Sequence, residues 1–378
     1  MSHTVSPNRG FFRFEPCLML TAVSPSFIRF PPSIDHKRPI SSADSLSAII
    51  NHPSLAPRVI RHQKSPIFPS CIRHPPSAIS HPKLKILITG VSGFVGQKLA
   101  AQFLAEGHAV IGVDLRAGDF PFANHPNFQF FGLDLTDAQA VSQLPWEEVD
   151  LLYHLAAAGV KAATRQWPLC VQVNVMGTAA LFQALLQRVA GGQPVPRIVY
   201  AKTYYEDHLD ALPAFKENPY VMSKVAATRW LEALAPIYPQ SITIAKVFQV
   251  YGPGDDPNNV LSYAARTLKA GEKATFGSGS SLRDWIYIDD FIAGLAACGD
   301  DHGPGLHRYD LGSGERHSIR NMVEKIAEIA KEDPSLLTFD PSKDRGDTEI
   351  EDWAKEKVPN WIRKKSLLAG LTNLTQEV

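Results

Sequence analysis

Tyr220 and Lys224 stand four residues apart in the segment YVMSK, the spacing that puts two side chains on one face of a helix. A tyrosine hydroxyl ionises near pH ~10, too high for a general base at neutral pH, and a neighbouring ammonium together with an oxidised nicotinamide lowers that value. Such a pair could move a hydroxyl proton while hydride leaves the carbon that bears it, or it could be one of the pairs common on helix surfaces. That chemistry needs a dinucleotide, and about 130 residues upstream TGVSGFVG carries Gly90, Gly93 and Gly96. Glycines at this spacing permit a strained turn, the approach of backbone to a pyrophosphate and close helix–strand contact, while the helix N-terminus offers oriented N–H groups to the anion. Asp114 follows about 20 residues later, where a carboxylate accepts hydrogen bonds from adenosine ribose hydroxyls, which favours NAD. Arg116, two positions on, could instead meet a 2′-phosphate, so NADP stays open. Asp134 and Leu135 follow a third apolar run. They border the adenine in one reading; in the other, Asp134 caps the helix begun by TDAQAV.

These residues need elements to hold them, and the chain supplies an alternation. LKILIT (84–89) reads as a strand and FVGQKLAAQFLAEG after it as an amphipathic helix; HAVIGVDL, FQFFGLDL, DLLYHLAA, RIVYA and ITIAKVF are further apolar runs, with helical stretches at 171–187 and 220–234 among them. Strands alternating with helices predict βαβ units in an α/β, doubly wound parallel sheet, a Rossmann fold. Beyond residue 250 the alternation loosens into helices at 260–270, 289–297 and 318–331 between loops rich in Gly, Pro and Asp. The expected organisation is a dinucleotide-binding domain over 83–250 and a smaller C-terminal substrate-binding region over 251–378, with segments returning to the first sheet.

Residues 1–82 differ in kind. They hold about a dozen prolines and about nine Lys or Arg, with Glu15, Asp35 and Asp44 as their acids. That composition predicts a disordered or targeting-like extension, and the fold expected from residue 83 onward needs nothing from it. Over the whole 378-residue chain, Lys plus Arg and Asp plus Glu both total 38, which gives no field that would favour nucleic acid or an anionic membrane. Cys17, Cys71, Cys170 and Cys298 lie scattered without metal-ligand spacing, so no metal site and no disulfide framework is expected. No apolar run of about 18 residues stands out, so no membrane span is expected. The expected location is the cytoplasm, or an organelle if residues 1–82 act as a transit segment.

From residue 83 to about 371 the chain resembles the extended short-chain dehydrogenase/reductases, in particular the NAD-dependent epimerase/dehydratase group that acts on nucleotide sugars. The resemblance rests on ordered motifs: TGVSGFVG, VDL, LDL, HLAAAGV, NVMGT, YVMSK, VYGPG, RDWIYIDD and DLGSGE. It implies that Tyr220 is the acid/base, that Lys224 binds the nicotinamide ribose, and that a hydroxyl after the fifth strand meets the reacting sugar oxygen. Thr203, in YAKTYYED, holds that place. Cofactor contacts carry over onto Ser92, Phe94 and Val95 within the glycine loop, Ala156 of HLAAAGV, Asn174 of NVMGT and Val247 of ITIAKVF. A homodimer through the helices at 171–187 and 220–234 is implied as well.

For the substrate, the resemblance implies a nucleotide-diphosphate sugar. Asn259 and a gripping pair, Arg283 and Arg345, would meet the diphosphate, since forked guanidinium donors match phosphate oxygens. Phe276 would pack on the base, Asp347 would bond the nucleotide ribose, and Gln249 would line the sugar pocket. From the residues alone, Arg283 could equally form a surface bridge with Asp284 or Asp289, and Phe276 could be core. Gln249 and Lys246 stand where relatives usually carry asparagine and arginine. The related 4,6-dehydratases place an Asp and a Glu directly after the threonine, where this chain has Tyr204 and Tyr205. Without that acid and base simple water elimination is not expected. Epimerisation or 4-ketoreduction remains, with a non-catalytic dinucleotide-binding relative and a reductase of a small carbonyl compound as alternatives.

Overall fold

Isoleucines and leucines alternate faces along LKILIT: Ile86 and Ile88 belong to one buried cluster and Leu87 to another. A strand apolar on both faces must lie inside a sheet covered on both sides. The computed structural model describes residues 82–210, 213–344 and 352–377. The expectation for residues 1–82 therefore lies, Pro82 apart, outside the described residues, as do Arg345 and Asp347.

The strands are β1 (Lys85–Thr89), β2 (Ala109–Asp114), β3 (Phe128–Gly132), β4 (Leu151–His154), β5 (Arg197–Thr203), β6 (Ser241–Val247), β7 (Gln249–Tyr251), β8 (Ala274–Phe276), β9 (Leu282–Tyr287), β10 (Gly305–Leu311), β11 (Arg316–Ser318) and β12 (Leu337–Phe339). The α-helices are α1 (Phe94–Ala105), α2 (Ala138–Ser142), α3 (Trp167–Cys170), α4 (Thr178–Ala190), α5 (Pro213–Lys216), α6 (Pro219–Leu234), α7 (Val260–Lys269), α8 (Ile288–Ala297), α9 (Ile319–Ala330) and α10 (Leu367–Glu377). Seven strands form one sheet in the order β10-β6-β5-β4-β1-β2-β3, and every pairing in it is parallel. This is the doubly wound Rossmann sheet. Its order reverses at β1, whose neighbours are β2 and β4, and the crevice outside such a switch point, at the carboxyl ends of the strands, is where ligands bind.

Past β6 the chain builds two small sheets, β11-β9-β7 and β12-β8, while β10 returns to the edge of the main sheet beside β6. The helix expected at 171–187 is longer and less regular. It runs over Trp167–Ala190, with a π-helical segment, Val171–Gly177, between α3 and α4. Among the described residues this is the one helix long and apolar enough to cross a membrane by length and composition, with half of the tested stretch buried within the fold. Gln172, Asn174, Thr178 and Gln183 interrupt it, so no unbroken apolar run stands out in the sequence although the helix as a whole passes by length and composition.

Candidate active site

The turn between β1 and α1 is shaped by its glycines. Gly90 has φ +73°, a left-handed conformation, and a Cβ there would stand 2.7 Å from the backbone N of Ala156. A Cβ on Gly96 would fall 2.3 Å from the Gly90 carbonyl oxygen. Gly93 sits at the N-cap of α1, which has neither a capping side chain nor an acidic residue in its first turn. The N–H groups of that turn are therefore left for an anion. Asp114, at the end of β2, accepts hydrogen bonds from the N–H of Ser92 (3.0 Å) and of Leu115 (2.8 Å), so its carboxylate is fixed beside the cradle. Phe94 and Val95 open α1, half-buried.

Beneath the cradle lies a buried hydroxyl–imidazole chain. Thr89 Oγ1 lies 2.8 Å from His154 Nδ1, and His154 Nε2 lies 2.8 Å from Thr178 Oγ1. Thr89 Oγ1 also accepts from the N–H of Leu155 and of Ala156. Burial first, then the Lys224 ammonium, holds the His154 pKa down at about 3, so the imidazole is neutral. Asn174, 2% exposed, accepts from Ala158 N–H and donates to Ala158 C=O and to Ser223 Oγ. Its amide is thereby committed to tying the loop after β4 to α6, and it reaches the cradle through that loop. The structure places the next two residues, and corrects one reading of the first. Asp134 does not cap a helix: it accepts from Thr136 N–H and Oγ1, and the cap of α2 is Asp137. Leu135 is buried core that abuts Gly177.

Tyr220 and Lys224 lie on the first turns of α6, which starts cleanly because Asn218 caps it and Pro219 occupies its first position. Thr203 ends β5 in register with Val247 at the end of β6. Desolvation pushes the Tyr220 pKa up; Glu206 and Tyr205 add to the rise, while Arg165 and the Thr203 hydroxyl oppose it. Burial lowers Lys224 to about 8, against the pull of Glu206. The ammonium sits 3.9 Å from the centroid of the Tyr200 ring.

On the substrate side the picture is mixed. Gln249 begins β7, half-buried. Asn259 donates to Asp255 Oδ1 at 2.8 Å, and burial raises the Asp255 carboxyl to about 6. Phe276, 6% exposed, packs in the core against Tyr263 and Phe339, so its ring serves the interior. Arg283 is 5% exposed on β9 and is no surface bridge; Asp284 instead accepts from the N–H groups of Ser313, Gly314 and Ala354. Lys246 faces Asp310, Asp352 and Asp207 at 3.3, 3.4 and 3.6 Å. The residue that motif matching missed is Glu206, buried beside Thr203. The pattern Thr203-x-x-Glu206 is itself a helix capping signature, so a signal was present.

A model of the NAD dependent epimerase/dehydratase family matches residues 86–312, more than half of the chain. The chain belongs to this family. It carries the Rossmann sheet and the glycine cradle of an NAD-dependent enzyme of the extended short-chain dehydrogenase/reductase type, and NAD is the family's cofactor. Among curated relatives, a UDP-glucose 4-epimerase of Mycolicibacterium smegmatis is 28% identical over 310 residues, spanning 78% of this chain and 98% of the relative. Two solved structures share the fold at 24% identity, each covering 78% of this chain and 98% of its own. They are a UDP-glucose 4-epimerase of Thermotoga maritima with UDP-glucose (TM-score 0.66) and one of Thermus thermophilus in complex with NAD (TM-score 0.61). For this epimerase/dehydratase family member, the open first turn of α1 and the Cβ-intolerant glycines fit a pyrophosphate, and Asp114 fits a ribose.

Proposed function

We propose that the chain is an NAD-dependent nucleotide-sugar epimerase or 4-ketoreductase, with residues 83–250 holding the dinucleotide and 251–378 mainly the nucleotide sugar. The observation that carries this reading is the convergence of Thr203, Tyr220 and Lys224 at the carboxyl end of the main sheet, the end that bears the glycine cradle. NAD, when bound, accepts or returns hydride at a sugar ring carbon. Tyr220 takes the proton from the hydroxyl on that carbon, or gives it back. The unassisted phenol is a poor base because desolvation raises its pKa, so it needs the Lys224 ammonium on the same helix face and the Thr203 hydroxyl. Thr203 also orients the reacting oxygen. Arg283 and Asn259 hold the diphosphate, together with Arg345, and Asp347 holds the nucleotide ribose. Elimination of water is disfavoured, because Tyr204 and Tyr205 follow Thr203, Glu206 is turned towards α6 and Asp207 pairs with Lys202.

Exposed Trp167, Leu169, Val171, Met176 and Trp230, on the helices that begin at Trp167 and Pro219, support assembly into a homodimer through these helices. The functional test is Tyr220→Phe assayed on UDP-, dTDP-, CDP- and GDP-sugars. Turnover should fall by about 10²–10⁴-fold while NAD affinity changes little. Near-wild-type turnover in that variant would sink the reading.

A further inference from the structure

Tyr220, Lys224 and Thr228 recur every four residues along α6 and so form a single stripe on that helix. At the end of the stripe away from Tyr220 stands Glu206, a carboxylate 8% exposed. Its Oε2 accepts from Thr228 Oγ1 at 2.6 Å and its Oε1 from the backbone N–H of Thr203 at 2.9 Å. In return Thr203 Oγ1 accepts from Tyr205 N–H, closing a capping box at the end of β5. One side chain thus bonds both elements that carry the proposed chemistry.

We propose that Glu206 is a positioning residue that locks Thr203 onto the Tyr220 face of α6 and sets a carboxylate, bonded to Thr228, one helical turn from Lys224. This rests on the reading that Tyr220, Lys224 and Thr203 move the proton. The carboxylate does not touch the sugar, because both of its oxygens are turned towards Thr228 and Thr203. Burial raises its pKa, opposed by Lys224, Thr228, the Thr203 N–H and Lys202. Burial lowers Lys224 to about 8, and Glu206 is the group that opposes this. Each ion therefore sustains the other.

The remaining charges nearby are engaged elsewhere. On β5 Lys202 pairs with Asp207, and on β6 Lys246 bridges Asp310, Asp352 and Asp207. Within α6 Arg229 bonds Glu232, which also meets Arg308 of β10. Tyr200 contributes its ring face to Lys224, His154 of β4 is neutral, and Tyr205 and Tyr220 add only phenols. A groove of about 410 Å³ between α6 and β10 reaches Glu206 and Thr228, and water in it can hydrate the carboxylate. Among the described residues, Glu206 is the carboxylate bonded to the stripe, through Thr228, and Arg165, which bonds the Gly159 and Val160 carbonyls, is the cation that acts on Tyr220.

Glu206→Gln keeps an oxygen acceptor for Thr203 N–H and removes the charge. The test is an NMR titration of protein labelled with ε-¹³C-lysine, the Lys224 signal being assigned by its loss in Lys224→Met. The wild-type midpoint should lie at about 8, and Glu206→Gln should lower it by about 1 pH unit or more. Thr228→Val, which keeps the carboxylate but deletes one of its bonds, should lower it by less and serves if Glu206→Gln does not fold. An unchanged midpoint overturns the proposal. The titration needs no turnover, so it stands apart from the functional reading above. Where a sugar is turned over, both limbs of the kcat/KM profile of Glu206→Gln should move to lower pH, because Glu206 raises Tyr220 as well as Lys224. KM should stay the same, and Glu206→Asp should bring the profile back. A profile identical to wild type in Glu206→Gln leaves Glu206 a purely structural cap and also overturns the proposal.

Discussion

At the end of β1 a single added methyl group meets backbone: 2.3 Å from the Gly90 oxygen at position 96, 2.7 Å from Ala156 N at position 90. The end of β5 is built differently. There Thr203, Glu206, Tyr220 and Lys224 are held by side-chain hydrogen bonds and mutual charge. Backbone cannot be re-chosen by mutation, whereas side chains can. The cradle is therefore specified by steric exclusion, and the wall at the end of β5 by electrostatics that admits other solutions.

The largest effect that would break this contrast is expected at Gly96. Gly96→Ala forces a backbone shift in the turn, and overpacking of this kind costs on the order of 3 kcal/mol, equivalent to about 100-fold in NAD affinity if the loss falls on the bound cradle. Gly192→Ala is the control. Unlike Gly96 it has positive φ, but it has no atom within 4 Å, so it should lose only about 1 kcal/mol through strain. Isothermal titration with NAD and urea unfolding read both. Equal effects at the two positions would mean that close approach is not what the cradle requires.

At the wall a smaller change is expected. Thr203→Val preserves shape and removes the hydroxyl, which should lower kcat by about 10–100-fold, the range for one hydrogen bond to a charged or developing charge, while leaving NAD affinity alone. A fall in NAD affinity as large as that in kcat would show that the two regions are not separable. The magnitude sharpens the comparison too, since the wall should weaken by degrees where the cradle fails.

The same contrast explains what could be read from the sequence. TGVSGFVG and the alternation of apolar runs announced β1, α1 and the parallel sheet, because φ sign and periodicity are local properties. YVMSK announced the Tyr220 face because four-residue spacing is local as well. Asp134 and Asp137 are the same residue type three positions apart, and only the turn geometry shows that the second caps α2. Phe276 could equally line a base or fill a core, and burial decided for the core. Glu206 carried a capping signature, but its role depends on Thr228, 22 residues away on α6, and no local pattern reports that pairing. The π-helical segment escaped for a similar reason: Asn174 is tied to Ala158 and Ser223, contacts that no helical period encodes.

His154 offers the smallest effect and the one that joins the two regions, because it is bonded beneath the cradle to Thr89 and Thr178 and feels the Lys224 ammonium from the wall. Its folded pKa of about 3 lies below the ordinary imidazole value of 6.5. Between those values the unfolded chain binds a proton that the folded chain refuses, so the stabilisation is complete above about pH 6.5 and is lost progressively as pH falls towards 3. Between pH 7 and pH 5.5 this one group should remove about 1 kcal/mol of stability, measured as the difference in urea unfolding free energy. His154→Gln, which keeps one hydrogen bond and does not titrate, should be less stable at pH 7 yet flatter across that interval. Lys224→Met should leave that slope as it is, because burial, the larger cause of the depression, keeps the folded pKa below the interval; its effect should be a rise of the His154 midpoint from about 3, followed by NMR titration of the imidazole. If the midpoint in Lys224→Met stays at the wild-type value, the wall does not act on the cradle through this imidazole, and the two regions share a sheet without sharing a field.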